Sequence, residues 1–185
     1  MITPMALPKD YTGEGCSLAR ALEVVGERWT LLIVRDAFFG VRRFSDFAAH
    51  LEIPRAVLTQ RLTALAEAGV LVAVPGPHGH DEYTLTDKGL ALWPVVRGLL
   101  AWGDDYYSAD GPRRLFRHAA DGGTVPADGA CDACGGLVPV ADLEVAPGPG
   151  WAARAGKTDL VSVAMAAPHR LLTPVRAGRE PAALS

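Results

Sequence analysis

Apolar residues recur at helical spacing through the first part of the chain. Leu18, Leu22, Val25 and Trp29 stand four, three and four residues apart, which predicts one helix, or two abutting helices broken at Gly26. Three further segments keep a helical spacing. Their apolar positions are Leu31, Leu32 and Phe38, then Phe47, Ala48 and Leu51, and then Leu58, Leu62 and Leu65.

Start and stop residues separate these segments from one another. Gly40 is a natural stop for the second segment, and Ser45 is a good N-cap for the third. Pro54 opens the fourth segment, where its missing N–H costs nothing, and Gly69 ends it. The sequence therefore predicts four consecutive helices.

The pattern then changes to strands. Residues 70–74 form a β-type run, residues 75–80 are rich in Gly, Pro and His, and residues 82–86 are again β-type. Two such runs around a Gly/Pro loop predict a β-hairpin.

A long amphipathic helix is predicted after the hairpin. It starts at the N-cap candidate Thr86 and extends through Tyr106, with Pro94 either kinking it or falling at a tolerated position. Four helices, a hairpin and a helix follow the order of a winged helix-turn-helix module. The predicted fold class is mainly α with a small β-hairpin wing, plus a small C-terminal appendage rich in β-structure and turns.

The appendage is indicated by a change in composition. Residues 121–150 contain seven Gly and four Pro, a content typical of short strands joined by turns. The predicted organisation is an N-terminal arm (1–15), a winged DNA-binding and dimerisation domain (16–107), a linker (108–120), a zinc-ribbon-like or β-rich appendage (121–170) and a flexible tail (171–185).

Composition and charge narrow the function. With 49% apolar and 21% charged residues, the 185-residue chain can bury a core. The net charge of −3 excludes a broadly polycationic binder, yet residues 28–61 carry a net +3 and the rest −6. No secretory signal, long apolar run or catalytic motif is present, so we expect a cytoplasmic protein that is neither membrane-bound nor an enzyme.

The fourth helix presents residues suited to a major groove. If its leucines point inward, Arg55, Thr59 and Thr63 share an outward stripe with Ala56 and Gln60 beside it. The alternative is that the arginines only solvate the surface. The predicted contacts to double-stranded DNA are Arg42, Arg43, Ser45, Pro54, Arg55, Ala56, Thr59, Gln60, Arg61, Thr63, His78 and His80.

Several motifs in unbroken order resemble the HxlR-type family of bacterial transcriptional regulators. They are CSLARAL from Cys16, GERWTLLIVRD from Gly26, RFSDF from Arg43, VLTQRL from Val57, EAGVL from Glu67 and YTLTDKG from Tyr83. The resemblance covers about residues 16–107 and implies a homodimer that pairs through its terminal helices and binds an inverted repeat. It also implies a recognition helix at 54–68 and a wing at 75–82.

Cys16 has two interpretations. In some relatives the cysteine at this place senses oxidants or electrophiles, and a helix N-terminus together with Arg20 favours a thiolate. The alternative is a small packed side chain.

A second cysteine motif lies in the appendage. Cys131 and Cys134 form a C-x-x-C knuckle, half of a zinc site, which would have to recruit His118, Asp121 or His169. Some longer relatives resemble this segment but carry Cys where Asp121 stands here. Zinc binding, a decayed site with reduced or packed cysteines, and a dithiol redox role therefore stay open, and no other cofactor is expected.

The sequence thus favours a homodimeric, sequence-specific regulator, most simply a repressor that competes with RNA polymerase. A thiol reaction or a small-molecule effector would relieve it, and Trp93, Trp102, Tyr106 and Tyr107 are candidates for an effector pocket or for dimer core. The alternative is a thiol-redox or metal-handling protein that uses the winged domain as a dimer scaffold.

Overall fold

The computed structural model describes residues 15–76, 79–151 and 157–175. The predicted N-terminal arm apart from Gly15, the wing residue His78 and residues 176–185 lie outside these ranges. The α-helices are α1 (Ser17–Val25), α2 (Thr30–Phe38), α3 (Phe44–Leu51), α4 (Arg55–Glu67), α5 (Asp87–Leu90), α6 (Trp93–Tyr107) and α7 (Leu160–Ala164). Among the described residues, no helix combines the length and apolar character needed to cross a membrane.

Two small antiparallel sheets complete the fold. The strands are β1 (Leu71–Pro75), β2 (Asp81–Leu85), β3 (Arg114–His118), β4 (Leu143–Pro147) and β5 (His169–Arg170). The predicted hairpin is formed by β1 and β2, with Leu71 opposite Leu85. The second sheet has the order β3-β4-β5. The predicted mainly helical winged fold with a β-containing C-terminal region is confirmed.

The predicted inner faces of the helices form the core. The three α4 leucines are at most 1% exposed, and they pack with α2 and α3 because all three helices bury an apolar stripe. The principal buried side chains of this part are Ile33, Val34, Phe38, Phe47, Leu58, Leu62 and Leu65.

Helix α3 has its N-cap two residues earlier than predicted. Arg43, not Ser45, is the N-cap residue, with extended backbone angles and no side-chain capping bond. Its conformation follows from the wing, because Arg43 forms a β-bridge with Glu82 and the N–H of Tyr83 donates to the carbonyl of Arg42. Since the strand-like contact ends there, the helix starts at Phe44.

The long helix predicted after the hairpin is interrupted. Thr86 does cap a helix, since its hydroxyl accepts a hydrogen bond from the N–H of Gly89, but that helix is the short α5. A turn at Ala91 and Leu92 separates it from α6. Pro94 lies in the first turn of α6, where the helix needs no N–H from it, and causes no kink within the helix.

The predicted linker at 108–120 is wrong from Arg114 onward, because strand β3 lies within it. Phe116 of β3 packs edge-on against Trp93 with ring centroids 5.5 Å apart. The guanidinium of Arg97 lies 4.2 Å from the centre of the Phe116 ring and donates to the carbonyl of Val125. The C-terminal region therefore packs on α6 and shares its core.

Helix α7 attaches the C-terminal region to α3. Asp159 caps α7 through the N–H of Ser162 and also lies 3.2 Å from the His50 ring of α3. Burial alone would raise the pKa of Asp159, but the hydrogen bonds from Ser162 and the contact with His50 lower it. Lys157 adds a hydrogen bond to the carbonyl of His50.

The first residues of the predicted flexible tail are packed. Leu171 is buried, and the N–H of Leu172 donates to the carbonyl of Phe38. The N–H of Val175 donates to the carbonyl of Gly40. The prediction of a tail starting at 171 was therefore wrong for 171–175, because this apolar segment covers the end of α2.

Gly40 makes a direct test of this contact. Its φ is +88°, and the carbonyl oxygen of Thr173 occupies the place of a Cβ. Gly40→Ala should lower the free energy of unfolding by about 2–5 kcal/mol, the sum of left-handed strain and overpacking. Gly69→Ala is the matched control, because Gly69 has a φ of +68° and open space around it, and should cost only about 1–2 kcal/mol. Equal losses in urea denaturation would show that 171–175 does not pack on Gly40.

Candidate nucleic-acid interface and cysteine cluster

Helix α4 presents the outward stripe that its sequence predicts. Pro54 and the exposed positions of α4 stand opposite the buried leucine face. The exposed positions of the predicted stripe are Arg55, Ala56, Thr59, Gln60 and Thr63, and Ala64 and Glu67 are exposed as well. Alanine and threonine have short side chains, so the helix backbone can approach a base-pair edge closely. The longer side chains of Arg55 and Gln60 extend furthest from the helix.

The first turn of α4 is held in place by α3. The guanidinium of Arg55 lies 4.9 Å from the centre of the Phe44 ring, a cation–π contact that orients the side chain without using its N–H donors. The hydroxyl of Thr59 donates to the carbonyl of Arg55 at 3.0 Å. Thr59 therefore offers its methyl group and an acceptor to an approaching ligand, and Arg55 keeps its donors.

The wing lies beside the start of α3. Arg43 is exposed and forms an ion pair of 3.5 Å with Glu82 of β2, which ties the helix start to the hairpin. Ser45 is exposed, and its hydroxyl donates to the Asp46 carboxylate at 3.2 Å. His80 is exposed at the wing, and His78 lies outside the described residues.

Besides Arg43, which pairs with Glu82, two more of the arginines predicted to contact DNA face protein partners. Arg42 is half-buried and its guanidinium lies 3.4 Å from the carbonyl of Leu172. Arg61 is half-buried and lies 3.7 Å from the Glu27 carboxylate. Counting charges along the sequence could not reveal these pairings, because the partners lie far away in the chain.

The four aromatic residues considered for an effector pocket or for dimer core do not form one pocket. Trp93 contacts Phe38 and Phe116 in the core. Trp102 instead forms an exposed cluster with Tyr106 and Tyr107, at 5.3 and 5.4 Å between ring centroids.

A cavity that the sequence did not indicate lies between α2 and the C-terminal region. It has a volume of about 520 Å³, and Trp29, Phe39, Arg114 and Trp151 are among its lining residues. Arg114 stacks on Trp151 at 3.8 Å, and burial lowers the pKa of Arg114 to about 10. The cavity lining combines aromatic rings with three arginines, Arg35, Arg113 and Arg114, and two carboxylates, Glu52 and Asp104.

Cys16 is exposed at the N-cap of α1. Its carbonyl accepts the N–H of Arg20, but the Arg20 guanidinium forms an ion pair of 2.5 Å with Glu23. The cation expected to favour a Cys16 thiolate is thus paired with a carboxylate. The interpretation of Cys16 as a packed side chain does not fit its exposure in the single chain.

The structure brings together the four residues proposed as metal ligands from the sequence. The possible ligand atoms of His118, Asp121, Cys131 and Cys134 all lie within 4.8 Å of one another. His118 Nδ1 is 3.0 Å from Asp121 Oδ2 and 3.7 Å from Cys134 Sγ, and Cys131 Sγ is 3.6 Å from Asp121 Oδ2. His169, the other candidate, is not in this cluster, and its Nε2 lies 3.0 Å from the carbonyl of Thr173.

Local backbone geometry builds this cluster. His118 ends β3, and a turn closed by the Gly122 N–H on the His118 carbonyl returns Asp121 to it. Gly123 is required there, because a Cβ would collide with the Cys131 sulfur. The hydrogen bond from the Gly123 N–H is the main reason that the pKa of Asp121 falls to about 2.

The cysteine turn is equally well defined. The N–H of Gly135 donates to the carbonyl of Cys131, and the N–H of Cys131 donates to the carbonyl of Gly136. The Gly136 N–H acts to lower the pKa of Cys134, but the neighbouring Cys131 thiol and Asp121 carboxylate raise it overall. Cys131 is buried and Cys134 is exposed.

Comparisons with known proteins agree with this architecture. The family model described as HxlR-like helix-turn-helix matches residues 24–111. An uncharacterized HTH-type transcriptional regulator of Mycobacterium tuberculosis, Rv3095, is 44% identical over 145 residues, which are 76% of this chain and 91% of that protein. The HTH-type transcriptional regulator YodB of Bacillus subtilis is 30% identical over 89 residues, 46% of this chain and 80% of YodB.

A solved structure supports the fold over most of the chain. The crystal structure of PA1607, described as a candidate transcription factor, has a TM-score of 0.54 and 38% identity, covering 80% of this chain and 95% of PA1607. The chain therefore belongs to the HxlR-like helix-turn-helix family, whose members are DNA-binding transcriptional regulators and not enzymes.

Proposed function

We propose that this regulator is a homodimeric, sequence-specific repressor that acts on chromosomal DNA in the cytoplasm. The exposed stripe of α4 carries the proposal, because its residue types and low profile suit a major groove. The flanking wing and the start of α3 supply groups for the phosphate backbone on either side. Repression follows if the bound dimer blocks RNA polymerase at a promoter.

The side chains divide into two roles. Arg55 and Gln60 reach base edges, where Arg reads guanine and Gln reads adenine. Arg43, Ser45 and the wing residue His80 position the protein on phosphates. Pro54, Ala56, Thr59 and Thr63 shape the surface, whereas Arg42 and Arg61 contribute mainly through the protein contacts described above.

Exposed apolar residues on the first and the long helix support a dimer. Leu18 and Leu22 of α1 are 67% and 46% exposed, and Leu99 and Trp102 of α6 are 50% and 52% exposed. Such a concentration of large apolar side chains marks an interaction surface. A second copy of the chain, pairing α1 and α6 with their counterparts, is the proposed partner.

Two features support a chemical signal. Cys16 is an exposed thiol on α1, so its modification would act directly on the proposed dimer surface. The aromatic cavity beside Arg114 suits a small aromatic anion. We take the thiol as the primary signal because it lies on the helix whose position a dimer would fix.

Alanine substitutions test the DNA contacts. Arg55→Ala and Gln60→Ala should each weaken binding to an operator, selected from random DNA, by about 1–3 kcal/mol, or about 5- to 150-fold, and relax preference at one position. Arg43→Ala should weaken binding to all DNA sequences alike. It should also reduce by about 1 the slope with which the logarithm of affinity falls with the logarithm of salt concentration. Fluorescence anisotropy at several salt concentrations measures both effects.

Arg117→Ala is the matched control, since Arg117 is an exposed arginine on β3 of the C-terminal sheet. It should leave affinity and salt slope unchanged. If selection from random DNA enriches no sequence, or if Arg117→Ala and Arg55→Ala lose equal operator affinity, then α4 is not the helix that recognises DNA. Either result would then favour the scaffold alternative, a thiol-redox or metal-handling protein.

A charge on α6 tests the dimer. Leu99→Asp should raise the dimer dissociation constant by at least about 30-fold, because an interface centre contributes about 2 kcal/mol or more per large side chain. Leu137→Asp is the control, since Leu137 is 78% exposed in the C-terminal region. Light scattering after gel filtration measures the mass. A monomeric parent protein, or equal dissociation of both variants, would contradict the proposed interface.

Thiol oxidation tests the signal. Diamide or a quinone should lower operator affinity of the parent protein by about tenfold or more, an effect of about 1.4 kcal/mol. Cys16→Ser should remove the response, and the double variant Cys131→Ser, Cys134→Ser should retain it. Anisotropy before and after treatment gives the answer, and a response that persists without Cys16 would exclude it as the sensor.

A further inference from the structure

The cysteine cluster carries an inference that goes beyond DNA binding. We propose that this cluster is a four-coordinate site for a divalent metal ion such as Zn²⁺. Its ligand atoms are His118 Nδ1, Asp121 Oδ2, Cys131 Sγ and Cys134 Sγ. The site joins the end of β3 to the cysteine turn. Asp121 completes it, so a third cysteine is not required.

The four ligand atoms lie within 4.8 Å of one another, and two of the distances between them match those of a tetrahedral site. Metal–ligand bonds of about 2.0–2.3 Å place tetrahedral ligand atoms about 3.3–3.8 Å apart. The contacts of 3.6 Å between Cys131 Sγ and Asp121 Oδ2, and of 3.7 Å between Cys134 Sγ and His118 Nδ1, lie within that range. The His118–Asp121 contact of 3.0 Å needs to open by only a few tenths of an ångström to admit an ion.

The groups around the ligands fix their orientation. Asp121 Oδ1 accepts the Gly123 N–H at 2.8 Å, and Oδ2 lies 3.0 Å from His118 Nδ1 and 3.6 Å from Cys131 Sγ. The two backbone hydrogen bonds between Cys131 and the glycines of the turn hold both sulfurs on one side. Such outer contacts are what orient and tune ligands in metal sites. The cluster is therefore shaped before an ion arrives.

The donor set selects the metal. Two sulfurs, one imidazole nitrogen and one carboxylate oxygen are all zinc ligands, whereas calcium and magnesium need shells composed largely of oxygen. Binding converts two thiols into metal-bound thiolates and releases two protons to solvent, with no change of oxidation state. Zn²⁺ and its spectroscopic substitute Co²⁺ fit this chemistry.

The position of the site gives it a structural role. His118 lies two residues after Phe116, which packs on Trp93 and carries Arg97 on its face. An ion would connect β3 to Cys131, a buried residue of the same core. We infer that the metal holds the C-terminal region in the conformation that packs on α6.

Cobalt spectroscopy of the full chain tests the site. The protein, purified without chelators and then reduced and stripped of metal, should bind one equivalent of Co²⁺ and show thiolate-to-cobalt charge transfer with strong tetrahedral d–d bands. One equivalent of Zn²⁺ should displace it. Elemental analysis of the protein as purified should likewise show close to one zinc per chain.

Variants identify the ligands. Cys134→Ser should abolish the charge-transfer bands, and Asp121→Ala should weaken Zn²⁺ binding by at least about tenfold. Asp121→Cys, unlike Asp121→Ala, should retain full Zn²⁺ binding, and should bind the ion more tightly than the parent protein does. Cys16→Ser removes the remaining cysteine, which lies on α1, and should behave as the parent protein. Circular dichroism of each variant confirms that the winged domain is folded.

Several results would overturn the proposal. They are no stoichiometric Co²⁺ binding by the reduced protein, binding that survives Cys134→Ser, and binding that is lost with Cys16→Ser. A disulfide between Cys131 and Cys134 that persists under reducing conditions would also overturn it, in favour of a dithiol role. None of these results bears on operator binding by α4, so the metal proposal and the repressor proposal fail separately.

Discussion

The contact of Trp93 with Phe38 and Phe116 is the interaction on which the rest of the structure depends. Trp93 begins α6, Phe38 ends α2 and Phe116 lies on β3, and the ring centroids are 5.0 and 5.5 Å apart. One side chain thus joins the helix-turn-helix core, the proposed dimer helix and the C-terminal sheet. Aromatic pairs at this spacing stabilise beyond their buried area, and their tilted geometry fixes relative orientation.

A second junction between the two regions is polar. Asp36 is fully buried on α2, pairs with Arg35 at 2.6 Å, and lies 3.9 Å from the His50 ring of α3. On its other side, His50 contacts Asp159 of α7. The Arg35 guanidinium offsets part of the cost of burying this carboxylate, while Asp36 Oδ2 has no hydrogen-bond partner among the described residues. Packing therefore holds the C-terminal region on one side, and the polar contact of His50 with Asp159 sets its position on the other.

The sequence predicted best what depends on neighbouring residues. Helical spacing located α1 to α4, glycines marked the ends of α2 and α4, and the Gly/Pro loop located the wing, because these signals act over a few positions. Strand β3 was missed because its residues, Arg114–His118, carry three basic side chains, and its pairing partner β4 is far away in the chain. The packing of Leu171 and Leu172 had a local signal, their apolar character, which the surrounding Arg, Pro and Ala obscured.

The candidate sites show the same division. The outward stripe of α4 follows from periodicity alone, and its exposure agrees with that prediction. The C-x-x-C spacing predicted two members of the proposed metal site, but the choice among His118, Asp121 and His169 needed the path of β3. Ion pairs such as Arg61 with Glu27 and the contact of Arg42 with Leu172 join residues that no spacing rule relates.

The observed pairings also change the meaning of the local positive charge. Residues 28–61 carry a net +3, a sum in which buried Asp36 already cancels its partner Arg35. Outside that sum, Glu82 pairs with Arg43 and Glu27 pairs with Arg61, while Arg42 lies against the carbonyl of Leu172. If the chain binds DNA as the proposed dimer, each protomer offers few cations to phosphate, and the salt-dependent, sequence-independent part of binding is small. Affinity then depends on base-edge contacts made twice, once by each α4, because linked half-sites multiply rather than add. The proposed dimer surface of α1 and α6, where Cys16 also lies, is therefore an effective place for a signal to act.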